Sequence, residues 1–195
     1  MNAATIARLK ITLDDVKPVV LRRVEVPFDI RLDRLHLTIQ AAMGWTNSHL
    51  YEIRAGGVRW STPYPGSDFM DARKARLDDI LHGTKTLKYL YDFGDGWEHT
   101  IKIERLIDPE PGMLYPRLIE AKGHCPPEDV GGPWGYGELL EALADPSNER
   151  HGELKEWLAD DFNPDVVDID WLSKDVADLA QRWSRQPAVK RRRIA

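Results

Sequence analysis

The sequence predicts an α+β fold in which an antiparallel β-sheet is covered by helices in a two-layer, roll-like arrangement, with a helical C-terminal part. Alternating apolar and polar residues, the pattern of half-buried strands, recur up to about residue 122. From about residue 133 to 184, apolar residues recur at helical spacing instead. We therefore expect a single domain over residues 1–184, followed by a basic tail at residues 185–195 that is expected to be disordered.

The N-terminal third is expected to combine strands with one helix. Residues 5–13 and 19–26 alternate in polarity and are joined by a short polar turn, which favours an antiparallel hairpin. From Leu32 to Met43 the apolar period becomes helical, and Gly44 is a typical residue to end a helix. A further strand pair is expected on either side of Gly56-Gly57, a dipeptide suited to a two-residue hairpin loop.

The later segments continue this alternation of strands, loops and helices. The Pro-, Gly- and Ser-rich residues 61–75 show no period and are expected to form a surface loop, whereas residues 113–121 are expected to form a strand. Residues 139–143 belong to the first of three C-terminal helices. Asn148 and Asp170 are the candidate N-caps of the second and third helices, because their side chains can accept a hydrogen bond from the first helical turn.

The central feature of the sequence is a predicted β-hairpin over residues 86–104. Apolar and aromatic residues alternate on both sides of Gly94-Asp95-Gly96, which supplies the backbone freedom that a tight turn needs. If these three residues close the hairpin, the opposed pairs are Phe93 with Trp97, Tyr91 with His99, and Asp92 with Glu98. The aromatic pairs then lie on one face of the hairpin and the acidic pair on the other.

A second informative stretch runs from Gly123 to Tyr136. Pro126 and Pro127 hold the preceding backbone in extended geometry, while Gly131-Gly132 permits positive φ angles or close backbone approach. The prolines make one half of this loop rigid, and the glycines allow unusual backbone angles in the other half. We therefore expect Glu128 and Asp129, which lie between them, to be held in fixed positions.

Composition excludes several classes of protein. The longest apolar runs fall short of the ~20 residues that a membrane span needs, so we expect no membrane association and a cytoplasmic protein. The single cysteine, Cys125, excludes an intramolecular disulfide. The net charge is −5, and because Lys190, Arg191, Arg192 and Arg193 supply +4 the rest of the chain stands at −9. DNA contact would therefore depend on local patches such as Arg22-Arg23 or on the tail residues Lys190, Arg191, Arg192 and Arg193.

Several motifs together resemble the plasmid pRiA4b ORF-3-like family. They are Arg22-Arg23-Val24-Glu25-Val26-Pro27, Gly44-Trp45 with His49-Leu50, Tyr91-Asp92-Phe93-Gly94-Asp95-x-Trp97-x-His99, Pro126-Pro127-Glu128-Asp129-x-Gly131-Gly132 and Phe162-Asn163-Pro164. The resemblance covers nearly the whole chain. It implies a mixed α+β fold and an association with plasmids and transposon-like elements, but no particular activity. Relatives often carry a second cysteine before the Cys-Pro-Pro segment; here Cys125 is alone, which disfavours a thiolate metal site.

A divalent-metal site is the first chemical hypothesis for the hairpin. Asp92, Asp95, Glu98 and His99 lie within eight residues, and carboxylate oxygens suit Mg²⁺ or Mn²⁺. In a regular strand, however, Glu98 and His99 point to opposite faces. The alternative is that the two aspartates hydrogen-bond the backbone of their own loop and that His99 packs in the core. We expect no metal or cofactor; a metal site, if formed, would use Asp92, Glu98 and Glu128.

Two functional hypotheses follow. The leading one is a non-enzymatic accessory or binding protein for a macromolecular partner that the sequence does not identify. Its candidate functional surface is Asp92, Asp95, Glu98, His99, His124, Glu128, Asp129 and Tyr136. The alternative is a divalent-metal-dependent hydrolase or nuclease, with His99 or His124 as general base. The sequence contains no Gly-x-Ser-x-Gly, no phosphate-binding loop and no His-x-x-Arg, which disfavours the common hydrolase, nucleotide-binding and tyrosine recombinase classes.

Overall fold

The computed structural model describes residues 5–158 and 162–185, which form eight strands and five helices. In chain order these are β1 (Ile6–Leu13), β2 (Leu21–Pro27), α1 (Leu32–Met43), β3 (Tyr51–Ala55), β4 (Val58–Ser61), β5 (Met70–Asp71), α2 (Leu77–Ile80), β6 (Thr86–Tyr91), β7 (Trp97–Ile107), β8 (Arg117–Lys122), α3 (Gly132–Ala144), α4 (His151–Trp157) and α5 (Ile169–Ser184). The predicted α+β class is confirmed. Most of the predicted basic tail, from residue 186 onward, lies outside the described residues.

All eight strands belong to one sheet, in the order β5-β4-β3-β6-β7-β1-β2-β8. Neighbouring strands are antiparallel except β4 and β5, which are parallel. β5 lies within residues 61–75, where the sequence predicted only a loop; its two residues pair with Trp60 and Ser61. Ala72 extends this short edge by donating its N–H to the Ser61 carbonyl at 2.9 Å.

The β6–β7 hairpin is present, but the predicted register is wrong. Tyr91 is opposite Trp97 and Tyr89 is opposite His99, so the connecting loop spans residues 92–96 rather than three residues. The cause is Asp92, which adopts a left-handed φ of 57° and ends the strand. Its Oδ1 accepts hydrogen bonds from the N–H of Gly94 at 2.9 Å and of Asp95 at 3.4 Å. Phe93 is consequently outside the strand and exposed.

Helices pack against the sheet and help to enclose the core. α1 buries an apolar stripe that includes Leu35 and Ile39, and it ends at Gly44 with φ 88° as the sequence predicted. α5 packs against both α1 and β8. The predicted cap at Asp170 is wrong: α5 begins earlier, and Asp168 caps it by accepting a hydrogen bond from Trp171 N at 2.9 Å. Asp170 falls in the first turn, where its charge still favours the helix dipole.

The core has an aromatic centre beneath the hairpin loop. Tyr89, Tyr91 and Trp97 are completely buried, and Trp45, which follows α1, stacks on Tyr91 with ring centroids 4.9 Å apart. This packing fixes the position of the residues that follow Trp45. Within the described residues, no helix is both long enough and apolar enough to cross a membrane.

Candidate functional site

The 92–96 loop and the segment 126–132 meet in the folded protein. Asp95 Oδ2 accepts a hydrogen bond from Gly131 N at 3.2 Å. The next residue, Gly132, has φ 70°, and a Cβ atom there would lie 2.1 Å from the Asp95 carbonyl oxygen. Only glycine allows backbone contact this close. We call these two segments, residues 92–96 and 126–132, the loop junction.

Glu128 connects the loop junction to the turn that follows α1. Its carboxylate accepts hydrogen bonds from Thr46 N at 3.1 Å, from the Thr46 hydroxyl, from Ser48 Oγ at 3.2 Å and from the Tyr91 hydroxyl. Partial burial acts to raise the pKa of Glu128, but these hydrogen bonds outweigh it and hold the pKa below its usual value. Glu128 is therefore ionised in the folded protein at neutral pH.

The same network positions His49. The Tyr91 hydroxyl, which donates to Glu128, accepts hydrogen bonds from Ser48 N at 3.0 Å and His49 N at 3.3 Å. The His49 ring packs edge-on against Tyr91, with ring centroids 5.8 Å apart. Because Tyr91 belongs to the buried aromatic centre, the backbone of His49 is anchored to the sheet.

His49 lies between two aspartates of the loop junction. Its Nδ1 is 3.6 Å from Asp92 Oδ2, and its Nε2 is 3.3 Å from Asp129 Oδ1. One ligating atom from each residue can be chosen so that all three lie within 4.8 Å of one another. Nε2 is closed to solvent and, although near Asp129, is not aligned for a hydrogen bond. We call these residues the His49–Asp92–Asp129 cluster.

The cluster has the chemistry of a divalent-metal site. One imidazole and two carboxylates suit Mn²⁺, Fe²⁺, Co²⁺ or Zn²⁺ better than they suit Mg²⁺, which prefers oxygen ligands alone. Asp129 is 74% exposed and Asp92 is 11% exposed, so a metal ion would be held from the protein side by Asp92 and reached by solvent beside Asp129.

Two of the hairpin residues predicted for the functional surface lie elsewhere. Glu98 is on the other face of the sheet, where its carboxylate pairs with Arg54 of β3. His99 is completely buried, and its Nδ1–H donates to the Trp97 carbonyl at 2.9 Å. Burial lowers the pKa of His99 to about 4. The structure therefore brings Asp92 and Asp129 together but separates them from Glu98 and His99.

His124 and Tyr136 are also removed from the cluster. His124 donates its Nδ1–H to the Cys125 carbonyl at 2.8 Å and packs edge-on against Phe162, with centroids 4.9 Å apart. Tyr136 of α3 is buried, and burial raises its pKa to about 12. Of the predicted surface, Asp92, Asp95, Glu128 and Asp129 meet at the loop junction.

Sequence reasoning missed His49 as a site residue. The segment between α1 and β3 has no period from which a side-chain direction can be inferred, and His49 is more than forty residues from either aspartate in the chain. The one signal available was that His49 lies among the residues that carry the family resemblance.

Comparison with known proteins gives three findings. Residues 5–171 match the family model described as plasmid pRiA4b ORF-3-like protein. The chain is 55% identical over 188 residues to uncharacterized protein y4hQ of Sinorhizobium fredii (strain NBRC 101917 / NGR234), covering 94% of this chain and 96% of that protein. It is also similar to the crystal structure of MM3350, a protein of unknown function from Methanosarcina mazei Go1. The TM-score is 0.80 and the identity 33%, over 90% of this chain and 99% of that one.

Proposed function

We propose, since this chain belongs to the plasmid pRiA4b ORF-3-like protein family, that it is a cytoplasmic accessory binding protein of plasmids and mobile elements that holds a divalent metal ion at the loop junction. The names of its relatives state no activity, so the proposal depends on the geometry of the site. The observation that carries it is the convergence of His49, Asp92 and Asp129, whose ligating atoms lie within 4.8 Å of one another.

The surroundings of the cluster support metal binding because they fix its ligands in advance. Asp92 is held by the N–H groups of its own loop through Oδ1, which leaves Oδ2 directed at His49. His49 is held by the Glu128–Tyr91 network. Preorganised ligands lose little conformational entropy when the ion binds, which favours affinity.

Binding is favoured over catalysis by the positions of the predicted general bases. His99 is enclosed in the core, and His124 hydrogen-bonds the Cys125 carbonyl away from the cluster. Glu128 already accepts several hydrogen bonds and has a lowered pKa, so it is a poor proton acceptor. None of these three groups is therefore suited to act as a general base beside the proposed ion.

Isothermal titration calorimetry with Mn²⁺, Zn²⁺ and Mg²⁺ on the full chain tests the proposal. We expect one ion per chain, with Mn²⁺ or Zn²⁺ bound more tightly than Mg²⁺. Asp129→Asn should weaken binding at least about tenfold, because it removes one anionic ligand. Asp68→Asn is the matched control, since Asp68 is 77% exposed and lies outside the cluster. Absence of uptake at millimolar metal, or equal loss in both variants, would refute the proposal.

A metal-dependent hydrolase is the second candidate, and one observation favours it. Three protein ligands with an exposed Asp129 leave coordination positions open for water, as in catalytic metal sites. The metal-loaded protein should then hydrolyse a simple phosphodiester such as bis(p-nitrophenyl) phosphate, and Asp129→Asn should abolish the turnover. Tight metal binding without turnover would contradict the hydrolase and leave metal binding as the proposed function.

DNA contact through Lys190, Arg191, Arg192 and Arg193 is a separate part of the proposal, and these residues lie outside those described. Counterion release predicts that such binding weakens steeply with salt. Deleting residues 187–195 should abolish DNA binding without changing metal uptake. Salt-independent binding, or binding that survives the deletion, would argue against the tail.

A further inference from the structure

Arg22 of β2 carries a buried charge that no described carboxylate neutralises. The residue is completely buried, although the sequence placed it in a surface basic patch. Its Nε donates to the Ala42 carbonyl at 2.7 Å, and its Nη1 to the carbonyls of Leu21, Lys122 and Gly123 at 2.8 to 3.1 Å. Its Nη2 has no hydrogen-bond partner among the described residues.

A buried guanidinium normally contacts an acid, because an uncompensated charge in the interior is costly. Cys125 is the titratable neighbour that acts most on Arg22, but burial raises the pKa of its thiol to about 12, so it is neutral. Arg22 thus has carbonyl partners on one side and two unused N–H groups on Nη2. Among the described residues, Arg22 therefore has no negatively charged hydrogen-bond acceptor.

Arg22 forms part of the wall of a cavity of about 320 Å³. The cavity lies between the end of α1, the Cys125–Glu128 segment, the end of α4 and the start of α5. Most of its wall is apolar, with Met43, Trp45, Pro126, Phe162, Leu172 and the two tryptophans Trp157 and Trp171. The two tryptophans are each 50% exposed, so their rings are available to a ligand. This volume is suited to a small molecule.

Among the described residues, the wall also contains two carboxylates, and both already have hydrogen-bond donors. Glu128 accepts hydrogen bonds from Thr46, Ser48 and Tyr91. Asp168 accepts from Trp171 N and caps α5, so its charge is balanced by the helix N-terminus. Among the buried polar atoms of the described wall, the unsatisfied one is therefore a donor, Arg22 Nη2, and a ligand that complements its charge is an anion.

We propose that this cavity binds a small apolar monocarboxylate, with an aromatic body against Trp157 and Trp171 and its carboxylate on the Arg22 side of the wall. Nη2 is closed to solvent, so the carboxylate would be attracted to Arg22 mainly by its charge and not through a direct hydrogen bond, and partial burial makes that attraction stronger than in water. A monoanion fits better than a phosphate dianion, because Arg22 supplies a single positive charge with one unpartnered nitrogen.

Three probes of the same shape test the sign of the charge. Calorimetry and tryptophan fluorescence with 3-phenylpropionate, 3-phenylpropanamide and 3-phenylpropylamine, on the full chain in EDTA, separate anion, neutral and cation. We expect the carboxylate to bind at least about tenfold tighter than the amide, and the amine no tighter than the amide. Equal affinity of carboxylate and amide, tightest binding of the amine, or no binding of the carboxylate at millimolar concentration would each overturn the proposal.

Variants then locate the site. Trp157→Ala should weaken carboxylate binding at least about fivefold, whereas Trp134→Ala, which removes an exposed tryptophan outside the cavity, should not. Arg22→Met should abolish the preference for carboxylate over amide; if it fails to fold by circular dichroism, the probe series on the parent protein decides. Asp129→Asn should leave carboxylate binding unchanged, which separates this site from the metal proposal. Equal effects of the two tryptophan variants would overturn the assignment.

Discussion

Replacing Gly132 with alanine should open the loop junction. The new Cβ would meet the Asp95 carbonyl oxygen at 2.1 Å, and ordinary contact begins at 3.4 Å, so the two backbones must separate by about 1 Å or more. The residue also keeps a φ of 70°, a left-handed conformation that costs alanine ~1–2 kcal/mol. Separation further strains the Gly131–Asp95 hydrogen bond, worth ~1–2 kcal/mol.

These contributions predict a loss of about 2–4 kcal/mol in the free energy of unfolding. For a chain of this length that corresponds to a fall of roughly 5–15 °C in Tm. Differential scanning calorimetry and urea unfolding both measure it. Metal affinity should fall with it, because Asp129 would move away from Asp92, and calorimetric titration of the folded variant measures that second effect.

Gly137→Ala is the matched control, five residues further along in α3. A Cβ there meets no atom within 4 Å, and the helical position favours alanine by ~0.5–1 kcal/mol. This variant should be as stable as the parent or slightly more so. If Gly132→Ala unfolds at the same temperature as the parent protein, or if Gly137→Ala is equally destabilised, the close contact between Gly132 and Asp95 does not stabilise the fold.

Three further predictions concern single side chains. Asp92→Asn should keep the free energy of unfolding within about 0.5 kcal/mol of the parent value, because asparagine retains an acceptor and tolerates positive φ. Its metal affinity should nevertheless fall. A clearly larger loss of unfolding free energy in urea would show that the Asp92 charge stabilises the fold. Glu128→Gln should cost about 1 kcal/mol in urea unfolding at pH 7. The lowered pKa of Glu128 contributes stability above its unfolded value of ~4.3, lost as pH falls through the folded value, so the variant should lose less on acidification. In the parent protein His99 should lower stability as pH falls from about 6.5 to 4, because the unfolded chain takes up a proton near pH ~6.5 that the buried ring accepts only at about 4. His99→Gln should remove this dependence. Urea midpoints of the variant at pH 7 and 4.5 that change as much as those of the parent would contradict this.

Sequence reasoning succeeded where a local period determines the structure. The alternation in β6 and β7 and the helical spacing of α1 each reflect one buried face, so element type could be inferred without tertiary information. The loop between the strands was harder. Asp92 and Gly94 are both residues that can begin a turn, and the choice of Asp92 shifts the register of the whole hairpin.

The site could be predicted only in part for a different reason. The glycine pair at 131–132 indicated a close approach, but nothing in the sequence says which backbone approaches, and the answer is Asp95. The contact of His49 with Asp92 and Asp129 likewise depends on the packing of Trp45 and Tyr91, which no local pattern encodes. Arg22 is buried because α1 packs against its strand, β2, and β8 pairs with that strand on its outer side. Neither contact is encoded in the residues around Arg22.

The two edges of the sheet have a consequence for behaviour in concentrated solution. β5 at one edge has two residues, too few to template a partner strand. β8 at the other edge carries Arg117, Glu120 and Lys122, whose charges would have to be desolvated if a second chain were added there. Both borders of this large sheet therefore disfavour edge-to-edge aggregation, and the protein should remain monodisperse at concentrations where proteins with long, flat, uncharged edges associate.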